Sequence, residues 1–207
     1  KPFYQMYVDA TSGDDSNPGD NSAAPLATIQ EAARRIPFSL GRASGEISIA
    51  NGTYDEDVVF GPISTEGTGS SSEGSWGKIK VKGETQSGVE IGSIIFTNVF
   101  GPKAISLEKA TMLRAAPDDG NEEAPVQAHI SSEIGVSNIS FKNATRRGIL
   151  AYTATIDCRD IDVTNITDHP FSTKRSGVLT SQGATGTFNP TFDASIFPFE
   201  ARENGRC

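Results

Sequence analysis

Residues 134–165 read IGVSNISFKNATRRGILAYTATIDCRDIDVTN, and one pattern is written in them twice. Ile134, Val136, Ile139, Phe141 and Asn143 recur 22 residues later as Ile156, Cys158, Ile161, Val163 and Asn165. The same frame stands 45 residues upstream of the first copy in Val89, Ile91, Ile94, Phe96 and Asn98. Each copy is an apolar pair at alternate positions, a two-residue corner, a second apolar pair and then an asparagine. Alternation of this kind places every second side chain on one face of a short strand. A single turn of such strands cannot bury its apolar row, but turns stacked at about 4.8 Å enclose a continuous core. The pattern therefore predicts an all-β chain wound as a single-stranded parallel β-helix with rungs of about 22 residues, Phe96, Phe141 and Val163 in one vertical register. It also predicts an inward ladder of stacked amides at Asn98, Asn143 and Asn165.

A second echo relates Ala104–Met112 to Gly148–Ile156 at an offset of 44. A copy expected to start at Met112 is interrupted by Arg114 and Pro117, so 114–125 is expected to be a loop thrown out of a rung, a common place for binding residues. Further loop insertions are expected at 61–77 and 167–175, within rungs spanning 46–187. Ser176–Leu179 echoes Arg147–Leu150 at an offset of 29.

The chain has 207 residues, 36% of them apolar, with 21 glycines and a net charge of −8. That suits one soluble all-β domain over 1–207 and argues against nucleic acid or an anionic membrane surface as a partner. There is no long apolar run to insert into a membrane. The start at Lys1 is read as that of a processed or excised chain. Cys158 takes the slot that Val136 holds in the preceding copy, so a buried free thiol is expected there instead of a disulfide to Cys207. Two cysteines and two histidines, His129 and His169, lack the spacing of a metal site.

Residues 1–37 are expected to hold an opening strand, a turn-rich loop and a capping helix. In the loop, Asp14, Asp15, Asn17 and Asp20 could hold calcium, since a hard cation wants several oxygens. Asx-turns account for the same letters, and no EF-hand frame is present. From Leu26 an apolar stripe with Thr28 as N-cap predicts a helix over about 26–36, placed to shield the open end of the stack.

YVDATSGDDSNPGDNSAAPLATIQEAARRIP, ISIANGTYDEDVVF and KIKVKGE, within residues 6–83, resemble the opening of right-handed parallel β-helix proteins of the pectate-lyase-like superfamily. The ATIQEA helix, the ANGTYDEDV rung and the KVKG strand are most similar to β-helix segments of phage tail fibres and tail spikes. The resemblance implies a virion surface appendage, trimeric, joined to other virion proteins and recognising a host-surface polysaccharide. Its alternative is a secreted polysaccharide lyase or glycoside hydrolase. Either implies a virion-surface or extracellular location.

For catalysis the candidates are Asp157 and Arg159 on one rung, and Asp168 with His169 as a base. No column of carboxylates climbs the outer face, so an ordinary solvated surface explains the same residues and no enzyme is required. Trp76 offers an indole face to a sugar or a lid to the core. Arg146, Arg147 and Tyr152 are the other carbohydrate-binding candidates. The irregular tail, 188–207, carries Phe188, Phe192, Phe197 and Phe199, expected to cap the last rung or pack on another chain. No cofactor is expected, calcium aside.

Overall fold

The structure is a computed structural model that describes residues 3–41, 43–65, 78–101, 104–114, 124–143, 145–174 and 177–182. In chain order its elements are β1 (Phe3–Val8), α1 (Ile29–Arg34), β2 (Ser39–Gly41), β3 (Ser44–Ile49), β4 (Gly52–Phe60), β5 (Ile63–Thr65), β6 (Lys78–Gly83), β7 (Val89–Thr97), β8 (Val99–Phe100), β9 (Ile105–Met112), β10 (Val126–Phe141), β11 (Thr145–Ile161), β12 (Ile166–Lys174) and β13 (Val178–Gln182).

Among the described residues all the strand pairings are parallel, and they form three stacked faces and a short fourth ladder. On the first face Met6, Ile47, Val81, Leu107, Val136 and Cys158 lie directly over one another. On the second, Tyr54, Ile91, Met112 and Phe141 do so. On the third the row is Val58, Ile94, Val126, Ile149 and Phe171. The chain passes from face to face and returns one level higher, which is the arrangement of a parallel β-helix. Alternation along each strand sends these rows inward, where they merge into one apolar cluster from Met6 to Ile166. Phe60 and Phe96 stack there with ring centroids 5.6 Å apart.

Corners repeat as faithfully as faces. Between the first and second faces Lys109, Asn138 and Asp160 all take left-handed backbone, with φ of 60°, 53° and 52°. After the third face Asn98, Ile130 and Thr153 do the same at 53°, 45° and 52°. Asn and Asp tolerate this region; branched Ile and Thr do so at a cost of about 1–2 kcal/mol.

Helix α1 is held against β4. Thr28 caps it as its sequence predicts, its hydroxyl accepting from the Glu31 amide. Glu56, on β4, accepts from the amides of Ile29 and Gln30 at 2.8 and 2.9 Å. Burial pushes the Glu56 carboxyl up, while these two amides favour its ionised form. The Gln30 amide bonds both the N–H and the C=O of Val59, so a side chain substitutes for a neighbouring strand at an edge that would otherwise be open.

Several expectations need correction. The 22-residue step joins Ile134 to Ile156. It is not a general rung length, for Ile105 and Ile134 are 29 residues apart and Ser44 and Lys78 are 34. Corners absorb insertions without disturbing stacked strands, so the period varies. Accordingly the third copy of the repeat is Ile105, Leu107, Ala110 and Met112, over Ile134, Val136, Ile139 and Phe141. Val89 and Ile91 belong to the second face and Ile94 and Phe96 to the third, which separates Phe96 from Phe141. Ile105 aligns through Ile134 with Ile156, so the 44-residue echo with Ile149 is out of register. Val178 lies over Thr155 at the first-face end of β11, not over Ile149, which pairs with Phe171 on the third face.

Residues 167–174 of the expected 167–175 loop do not form one: Ile166–Lys174 is β12, parallel to β11. The helix is shorter than 26–36, because Leu26 is held by a bridge to Val8. Nor is there an inward amide ladder. Asn143 and Asn165 are exposed and donate to the carbonyls of Leu113 and Phe141 one level away, while Asn98 bonds the Thr97 hydroxyl. Cys158 is buried and free as expected, and burial pushes its thiol up. Residues 115–123, most of the expected 61–77 loop and the 188–207 tail lie outside the described residues, as does Cys207.

Two stability measurements follow. Ile130 is 54% exposed, so Ile130→Asn gives up little burial and relieves the left-handed strain, raising unfolding stability by about 1 kcal/mol in denaturant titration. Phe96→Ala should lower it by about 3–5 kcal/mol, whereas Phe100→Ala, at a residue 45% exposed, should cost less than about 1 kcal/mol. Equal losses at the two phenylalanines would contradict the assigned faces.

Candidate functional site

The motif ANGTYDEDV is spent on holding the fold. The Tyr54 hydroxyl accepts from the Ala10 amide at 3.2 Å and donates to the Ala50 carbonyl at 2.9 Å, and burial pushes it up to about 12. Asp55 and Asp57 both receive the Arg114 guanidinium, tying the residue that follows β9 and Leu113 to β4. Ser93 donates to the same Asp57 carboxylate at 2.6 Å.

Of the sequence-derived catalytic candidates, the structure describes the side chains of Asp157 and Arg159. Arg159 donates to Asp157 at 3.0 Å, so the pair partly satisfies itself on the outside of the first face. At the same positions one level below stand Gly135 and Ser137, and one above, Thr180 and Gln182. Asp162 is engaged in an Asx-turn with Thr164. Asp168 and His169 lie on β12 beside the third face, with the His169 backbone paired to Arg147; their side chains are outside the described residues, as are Trp76 and the Arg146 side chain. Tyr152 does belong to an aromatic pair: its ring stacks on His129, centroids 5.5 Å apart, and His129 Nε2 donates to Gln127 Oε1 at 2.7 Å. Arg147 is half-buried on the same strand, β11.

The calcium candidates are likewise not arranged around a cation. Asp15 accepts from the amides of Ala27 and Thr28 and from the Thr28 hydroxyl, Asp14 from the Ser16 amide, and Asp20 from Asn21. Asn17 donates to the Pro25 carbonyl. The carbonyls of Asp15, Asn17 and Pro18 converge on the Arg35 guanidinium at 2.7–2.8 Å, which takes the place an ion would have. No cluster of three or more His, Cys, Asp or Glu with metal-holding geometry is found among the described residues.

A concave site lies elsewhere, on the first levels of the first face. It is a groove of about 470 Å³, within the usual range of ligand sites. Register explains its shape: Tyr7, Ser48 and Lys82 lie outward in line on β1, β3 and β6. Two residues further along the three chains come Asp9, Ala50 and Glu84. Small Ser48 and Ala50 form the floor, and the longer side chains one level below and one above form walls roughly 10 Å apart, twice the strand spacing. Glu46 and Lys109 also line it. Asp9 is held below its ordinary value by the Ser12 hydroxyl and the Thr11 amide. Glu46 accepts from the Ser48 hydroxyl at 2.9 Å, and Glu84 from the Asn51 amide at 3.1 Å. Among the described residues, Lys82 and Lys109 have no ion-pair partner.

Sequence reading missed this groove. Its members come from strands paired 26 residues or more apart, at spacings that no repeat carries. The one local signal was that every outward residue of KIKVKG is a lysine.

No known family profile matches this chain, and no curated protein matches its sequence. Among solved structures it is similar to pectin methylesterase PemA from Erwinia chrysanthemi, with a TM-score of 0.48 and 14% identity over 85% of this chain. The chain spans 55% of the length of that structure. The fold assignment rests on the strand pairing described above.

Acid should reveal how the loop and α1 are held together. Glu31 bonds Arg34 and Arg35, and these guanidiniums lower its carboxyl from 4.5 to about 2. A depressed carboxyl stabilises the fold above its unfolded value and loses that contribution as pH falls through the folded one. Unfolding stability should therefore decline from about pH 4.5 toward 2. Glu31→Gln should flatten this decline in denaturation curves taken across that window; an unchanged slope would remove Glu31 from the account.

Proposed function

We propose that this chain is a right-handed β-helix module of a surface appendage, of the phage tail-fibre or tail-spike kind, that recognises a host-surface glycan through the groove beside Tyr7, Ser48 and Lys82. The observation that carries the reading is the groove itself. A rigid stack of hydrogen-bonded strands presents ammonium donors, carboxylate acceptors and an aromatic ring around a floor of small residues. Sugars need that combination, because hydroxyls both donate and accept while pyranose C–H faces favour an aromatic ring. The sequence resemblance of residues 6–83 to fibre and spike segments supports the appendage. Trimerisation through the aromatic tail, attachment to other virion proteins and a virion-surface location belong to the same proposal.

A polysaccharide lyase or hydrolase is the competing reading. Asp157 is paired with Arg159 and has no acidic residue at its own position on either adjacent level, which favours recognition over turnover at that place.

The test is binding of the purified chain to intact cells and to a printed glycan panel, with mass determination by light scattering. Saccharide binding by a trimer, weakened about tenfold or more by Tyr7→Ala, is the expected result. A monomer that binds no glycan, or one that releases reducing or unsaturated sugars, would overturn the proposal.

A further inference from the structure

We infer that the groove selects an uncharged, hydroxyl-rich saccharide and that Lys109 is the residue that fixes it; the inference rests on the glycan-recognition reading above. Lys109 stands where the chain bends with φ 60°, and its counterparts on the next two levels are Asn138 and Asp160. Those residue types suit left-handed backbone, since a short polar side chain can bond locally; lysine has no such compensation. The bend is also tightly seated. A Cβ on Gly83, one level below, would lie 1.9 Å from the Lys109 carbonyl oxygen, so glycine is required beneath it. A strained residue kept at a well-determined position points to a use for its side chain. Lys109 lines the groove together with Lys82, and among the described residues neither ammonium is paired.

The acceptor side fixes the ligand class. Glu46 and Glu84 each use one carboxylate oxygen internally, so a second oxygen of each remains for a ligand. Both oxygens of Asp9 already accept from Thr11 and Ser12. Ammoniums that donate, beside carboxylate oxygens that accept, match hydroxyl groups, each of which can accept from one and donate to the other. An acidic sugar would meet three carboxylates against two ammoniums in the lining, on a chain of net charge −8. A polyamine would meet the two lysines. A neutral sugar satisfies both sets without either repulsion.

The discriminating experiment compares wild type with Lys109→Asn on matched panels of neutral and acidic oligosaccharides, followed by calorimetric titration with the best neutral binder and thermal unfolding of both proteins. Asparagine keeps the bend, so the variant should fold and gain roughly 2–4 °C in Tm. It should also bind about tenfold to a hundredfold more weakly. Gain of stability with loss of binding is a signature that a purely structural lysine does not give. Unchanged affinity in Lys109→Asn would overturn the role of Lys109. Binding confined to acidic oligosaccharides would overturn the neutral-ligand inference while leaving glycan recognition standing. Absence of binding to every glycan would remove both.

Discussion

No turn of this chain can bury its own apolar residues, and the whole architecture follows from that constraint. Ile47, Val81, Leu107 and Val136 become a core only because parallel backbone pairing sets each over the last. The same pairing that satisfies each strand's amides and carbonyls fixes which side chains share a wall. It also creates an end problem, because among the described residues no strand lies beneath the first level. The chain meets this with a helix whose N-terminus is held by Glu56 and whose Gln30 amide mimics a strand edge toward Val59.

The groove is a by-product of that stacking. Outward positions on adjacent levels are lined up as strictly as inward ones, so a level with short side chains between two with long ones becomes a channel. Ser48 and Ala50 lie between Tyr7 and Asp9 on one side and Lys82 and Glu84 on the other. The stack sets the width, and the corner at Lys109 adds a further lining residue. Rigid positioning of this sort suits recognition, since little ordering of the backbone remains to oppose binding.

What could be seen in the sequence was the part where stacking is free of insertions. Ile134–Phe141 and Ile156–Val163 repeat visibly because no extra residue separates their two strands in either copy, and Cys158 could be placed inside from Val136 alone. The frame at Val89–Asn98 misled, because Ile91 and Ile94 have the same spacing as the repeat yet belong to two different faces. Polar residues and Pro170 disguised β12 as a loop. Among the described residues β12 pairs only with β11, and an edge strand tolerates a missing amide. Of the three asparagines expected to link levels, Asn143 and Asn165 reach backbone carbonyls from outside the core, while Asn98 bonds the neighbouring Thr97 hydroxyl. The candidate site was the least legible. Asp157 and Arg159 stood out by local charge, while the groove depends on register between β1, β3 and β6, which only the folded corners determine.

The measurement that bears most directly on the stacked register is methyl and aromatic NOE spectroscopy on the selectively labelled chain. The account predicts contacts running from Ile105 to Ile134 and from Ile134 to Ile156, and from Phe96 to Phe60. It predicts none between Phe96 and Phe141. A direct contact between Phe96 and Phe141, or backbone contacts showing antiparallel pairing between β10 and β11, would contradict it.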